Sequence, residues 1–202
     1  MSRDNYYRRR PVKALRNKVL VLCGGESERL YFEHYKAKLK TLKNVTVEVL
    51  AHKKSDPLSL VQEAAKRKAE YNEVWAVFDK DNFRNFDAAI ACSGNNGVEC
   101  AFSNRSIEYW FLLHFENRTG SMNQNELETE LGKKLSFEYG KSADQIHRTC
   151  AAISAKLEDA EERAKAGHER HKRDSGNSPS DWCSCTTVYR LTKRLRDWKA
   201  AT

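Results

Sequence analysis

An α/β fold is what this sequence predicts: a doubly wound, mainly parallel four-stranded sheet followed by a C-terminal helical extension. Two patterns point to it. Short uninterrupted apolar runs recur between amphipathic stretches up to about residue 115, as strands buried on both faces of a parallel sheet should. Beyond that point the runs stop, and only helical spacing continues.

The first 17 residues, rich in Arg and Tyr and without a period, read as a basic flexible arm. The run KVLVLC at 18–23 is the first strand, stopped by Gly24 and Gly25. Ser27 is a candidate cap for a helix whose buried side carries Tyr31, Phe32, Tyr35 and Leu39. Val45, Val47 and Val49 alternate along a second strand. Asp56 and Pro57 then form a cap and first-turn pair for the next helix. The stretch EVWAVFDKD at 73–81 holds a third strand, 74–78, and ends abruptly in acid. A short helix over 86–91, a break at 94–97, a fourth strand over 98–102 and a nearly all-apolar helix over 106–115 complete the α/β part, 18–118.

In the extension, 119–202, Asn125 with Glu128 three residues on offers a helix cap. Ile146, Cys150, Ile153, Leu157, Ala160 and Ala164, spaced by four and three, predict one long amphipathic helix over 143–171. A polar break at 174–179 precedes a last helix marked by Val188, Leu191, Leu195 and Trp198.

The chain has 202 residues, enough for a sizeable core, and a net charge of +8 with a pI near 9.2, which favours polyanionic partners such as nucleic acid. Its six cysteines lack the dense spacing of a secreted disulfide scaffold, so reduced thiols in a cytoplasmic protein are expected. No membrane-spanning run and no signal-peptide pattern is present in the sequence.

Asp79 and Asp81 lie two apart where the third strand leaves the sheet, at the end where open α/β sheets bind ligands. Two carboxylates there can hold a divalent cation, although a polar turn reads the same way. The CGGESE loop at 23–28 is a weak phosphate cradle: it lacks a P-loop's Lys-Ser/Thr ending, and Glu26 and Glu28 suit a helix start for stability alone. Ser103 and Asn104 follow the fourth strand. Glu108, amid Tyr109, Trp110, Phe111 and Leu112, must be paired, metal-bound or aimed at the crevice. His168, His171, Cys183 and Cys185 raise a zinc site, but Cys-x-Cys is tighter than usual structural zinc spacing. His114 reads as a core histidine.

A first-strand loop, a strand ending in Asp-x-Asp and a Ser-Asn after the next strand resemble a Toprim domain. More closely, CGGESERLYFEHY, SDPLSLVQEA, EVWAVFDKDNFRNFD, FSNRSIEYWFLLHFE, EYGK, NSPS and CTTVYRL are similar, in order, to the blocks of the RloB-like family, from about residue 18 to 195. The resemblance implies a Mg²⁺- or Mn²⁺-dependent nuclease of antiphage defence acting on RNA, particularly tRNA, with an AAA-type ATPase partner and a possible homo-oligomeric state. It further implies that Asp79 and Asp81 bind the metal, with Glu28 and Glu108 catalytic beside them. Ser103, Asn104, Lys80, Arg105 and Lys141 fall in blocks expected to meet nucleic acid or phosphate. Gly24 departs from the pattern, since the family places a catalytic glutamate there. Either Glu26 takes over or this chain is impaired, by nature or by deliberate removal of the glutamate. The alternative function is a non-catalytic subunit that binds nucleic acid or a partner.

Overall fold

The computed structural model describes residues 17–39, 45–53, 56–176 and 178–200. The expected N-terminal arm therefore lies outside the described residues, except for Asn17, which begins the first strand.

Five strands form one sheet: β1 (Asn17–Cys23), β2 (Val45–Ala51), β3 (Glu73–Asp79), β4 (Glu99–Asn104) and β5 (Cys185–Thr186). Their order is β2-β1-β3-β4-β5. The first four are parallel, and β5 runs antiparallel to β4. The sheet thus has one strand more than the four expected. The addition comes from the C-terminal extension, and a two-residue strand carries no period by which a sequence could announce it.

The helices are α1 (Glu26–Lys38), α2 (Pro57–Lys66), α3 (Phe86–Asn96), α4 (Ile107–Leu113), α5 (Gln124–Lys134), α6 (Ala143–Ile153), α7 (Leu157–Asp174) and α8 (Val188–Ala200). β1 divides its side chains between two cores. Val19, Val21 and Cys23 face α1 and the C-terminal helices, while Leu20 and Leu22 face α2 and α3. That period-two split explains why β1 reads as a continuous apolar run.

Local details depart from the sequence reading. Gly25, not Ser27, is the N-cap of α1. α3 continues through Gly94 and stops at Gly97, whose φ of 62° takes the left-handed turn that glycine accommodates. The capping box of α5 uses Asn123 and Glu126 rather than Asn125 and Glu128. The long helix is two, α6 and α7, separated by a 3₁₀ turn at Ser154–Lys156. All seven residues of α4 are buried, as its composition requires, because α5, α7, β4 and β5 surround it. The Arg163 guanidinium donates to the Leu113 carbonyl at 2.7 Å and ties the end of α4 to α7. All six cysteines are free thiols. Among the described residues no helix is long and apolar enough to cross a membrane.

Candidate active site

The carboxyl ends of β1 and β3 and the first turns of α1 and α4 meet around a cavity of about 300 Å³. Gly24, Gly25, Glu26, Ser27 and Glu28 form one wall, Asp79 and Asp81 another, and Ser106, Ile107 and Glu108 a third; Lys141 reaches in from the extension. Two helix starts therefore face a crevice at strand ends, the arrangement in which backbone N–H groups and helix dipoles favour an anion.

Each acid has a local reason for its position. Glu28 stands in the first turn of α1 with its carboxylate folded back over Gly25. A β-carbon at residue 25 would fall 2.6 Å from Glu28 Oε2, so that fold-back requires glycine. Gly24 donates its N–H to the Val77 carbonyl at 2.8 Å, continuing β1 beside β3. There a β-carbon would meet only ordinary contacts, at 3.5 Å from Phe78 Cβ and Val77 O, so the backbone has room for a side chain at residue 24.

Asp79 accepts the Ile107 N–H through Oδ2 at 3.0 Å, which joins the end of β3 to the start of α4. Asp81 sits in the following loop at φ 41°, a left-handed position that Asp tolerates better than most residues. Its N–H donates to the Arg105 carbonyl at 3.1 Å, while the Arg105 guanidinium donates to the Asp81 carbonyl at 2.7 Å. Arg105 therefore clamps the loop that presents Asp81.

Glu108 is 1% exposed and accepts the Tyr139 hydroxyl at 2.8 Å. The Lys141 ammonium lies 3.3 Å from Glu108 and 3.0 Å from Glu128.

Crowding of acid in a buried place sets the protonation. Burial, then the charges of Glu108 and Asp81, push Glu28 up to about 7. Burial and the neighbouring Glu28, Glu108 and Asp81 raise Asp79 well above the carboxylate range; burial and Glu108 raise Asp81. For Glu108 burial pulls upward too, but the Lys141 ammonium, then the Ser106 and Tyr139 hydroxyls, outweigh it and lower the carboxyl from its ordinary value. The cluster thus holds protons that a cation would displace.

Two observations bear on whether a metal fits. Asp79 Oδ1 and Glu108 Oε2 are buried without a hydrogen-bond partner, a costly state for a carboxylate that an ion or its water shell would relieve. Among the described residues no three His, Cys, Asp or Glu side chains close into a ready cage. An ion in this cavity would be held by one or two carboxylates, its remaining coordination left to water and phosphate oxygens.

Of the residues expected at the site, Gly24, Glu28, Asp79, Asp81, Glu108 and Lys141 line the cavity together. Ser103 and Asn104 do not. Ser103 Oγ pairs with Thr186 Oγ1 across β4 and β5, and Asn104 Nδ2 donates to the Pro179 and Ser180 carbonyls, so both anchor the extension. Lys80 contributes its backbone N–H to the Ser103 carbonyl and its charge to the field at Asp81. Tyr139, Ser106 and the Ile107 N–H escape sequence reasoning; only the closeness of Tyr139 to Lys141 hinted at the first. The zinc alternative is not built. His171 is engaged by Ser175 Oγ and the Ser184 carbonyl, His168 by the Tyr189 hydroxyl, and both rings pack on Trp182.

A family model described as RloB-like protein matches residues 19–195. No curated protein and no solved structure matches the chain.

Proposed function

Because the chain belongs to the RloB-like family, we propose that it is a divalent-cation-dependent phosphodiesterase of antiphage defence that cuts nucleic acid, with RNA and particularly tRNA as the substrate class. The observation that carries this reading is the convergence of Glu28, Asp79, Asp81 and Glu108 on one cavity with two buried carboxylate oxygens left unpaired. A Mg²⁺ or Mn²⁺ ion bound there supplies charge to neutralise phosphate oxygens.

The protein's own groups divide the remaining work. Asp79 and Asp81 hold the cation, and the N–H of Ile107 fixes Asp79 for it. Glu28, with a pKa of about 7, is poised to exchange a proton near neutral pH. Lys141 balances Glu108 at the mouth and presents a positive charge to an entering phosphate. The fold supplies helix starts for the same phosphate.

Gly24 sets the expected rate. A glutamate there would add a sixth carboxylate to Glu26, Glu28, Asp79, Asp81 and Glu108, with only ordinary contacts at its β-carbon, so the chain as written is expected to cleave slowly and Gly24→Glu to be faster by about 100-fold or more, the usual range for a positioned acid or base. Both forms are incubated with tRNA, other RNA and DNA in Mg²⁺ or Mn²⁺. Silence of the glutamate form on every substrate overturns the nuclease assignment. Calorimetric Mn²⁺ binding should disappear in Asp79→Asn, which keeps an oxygen for Ile107 but loses the charge.

The missing carboxylate at Gly24 also favours a second reading, a non-catalytic subunit in which basic surfaces hold nucleic acid. Salt-sensitive RNA binding that persists unchanged in Asp79→Asn, with no Mn²⁺ bound by either form, would select it.

A further inference from the structure

The three segments that build the acidic cavity also build a second one at their opposite ends. α1 carries Glu28 in its first turn and Lys38 in its last, α4 runs from Glu108 to its C-cap His114, and α6, which follows Lys141, ends at Ile153. Between these ends and α8 lies a cavity of about 500 Å³, within the range of small-molecule sites.

Its lining is mostly apolar and aromatic, with Tyr31, Tyr35, Ile153 and Leu157 contributing, and no Asp or Glu is among the described residues that line it. Lys38, Arg196 and Lys199 supply positive charge. Arg196 is engaged by Glu158 and Glu161. Lys38 donates to the neutral Ser154 hydroxyl at 2.6 Å, so its charge faces no carboxylate in that contact. His34 adds a second polar feature: its Nε2 is buried without a hydrogen-bond partner, on a ring that burial and Lys38 keep neutral. An apolar chamber with a cation and a spare hydrogen-bonding nitrogen suits one chemistry.

We propose that this cavity binds a small amphipathic anion, with an aromatic or aliphatic body against Tyr31, Tyr35, Ile153 and Leu157 and an anionic head at Lys38 and His34. The basic N-terminal segment, with Arg8, Arg9 and Arg10, has the wrong charge to fill it. The site does not depend on the chemistry assigned to the acidic cavity.

The test titrates the full chain with 1-anilinonaphthalene-8-sulfonate, followed by fluorescence, beside its neutral analogue N-phenyl-1-naphthylamine. One saturable site is expected. Lys38→Met should weaken the sulfonate by about tenfold, the order of one charge-assisted contact, while changing the neutral probe less than about twofold. Leu157→Trp, which fills the chamber, should abolish binding of both at an unchanged thermal midpoint; Lys38→Met carries the test if that variant does not fold. Absence of saturable binding, or sulfonate binding equal in the wild type and Lys38→Met, overturns the proposal.

Discussion

Glu28 holds its proton far above the pH at which an ordinary glutamate releases it, because it is 5% exposed and faces Glu108 and Asp81. The unfolded chain releases that proton near 4.5, the folded chain near 7. Folding therefore carries no penalty from this group below about pH 4.5 and the full penalty above about pH 7, roughly 3 kcal/mol. Glu28→Gln should remove it: in a chelator, the variant should gain about that much over wild type between pH 4.5 and pH 8, read from urea denaturation. A gap between the two proteins that does not change with pH would refute the assignment. At this scale much of the site was legible, because carboxylates placed at strand ends or inside an apolar helix contradict the local pattern. Ser103 and Asn104 misled for a physical reason: they are the last two residues of β4, beyond the expected end at 102, and their polar groups are matched by β5 and the 179–180 segment, which sequence does not announce. Tyr139 was illegible because a tyrosine in a polar connection breaks no pattern.

Among the elements, α4 depends on groups outside itself. Its first turn carries a buried charge, and the balancing cation comes from the connection between α5 and α6. Lys141→Met should leave Glu108 without its ammonium and cost roughly 2 kcal/mol at pH 8, less than a fully buried pair would because Lys141 is half exposed. Urea denaturation measures the loss, and a carboxyl titration by NMR should show Glu108 moving upward. No change in either would mean that Tyr139 alone satisfies Glu108. The element boundaries show where the sequence was silent. Asn123 and Asn125 are each followed three residues later by glutamate, so both are valid capping boxes, and packing of Leu127 and Leu131 selects the first. The four-and-three spacing runs through the 3₁₀ turn at Ser154–Lys156, so a break that keeps the apolar face aligned leaves no trace in the pattern. β1 and β3 were legible because strands with both faces covered are apolar nearly throughout, whereas the apolar run of β4 stops at Phe102, two residues before the strand does.

For the whole molecule, the C-terminal extension is a structural part of the α/β unit. Ile146, Ile153, Leu191 and Leu195 share one core with Val19, Tyr31 and Trp110, and β5 extends the sheet. A chain ending at residue 118 would expose the faces of α4 that α5 and α7 cover, so it should fail to fold cooperatively; circular dichroism melting and proteolysis check this. A sharp two-state melt of that fragment would contradict the shared core. The pairing of β4 with β5 has one more consequence, in time rather than space. A ribosome delivers Gly24, Glu28, Asp79, Asp81 and Glu108 well before Tyr139 and Lys141, and Cys185 and Thr186 later still. The strand that secures Ser103 and Asn104 is thus synthesised after every residue of the acidic cavity, so the cavity's own groups leave the ribosome before the sheet edge beside them is complete.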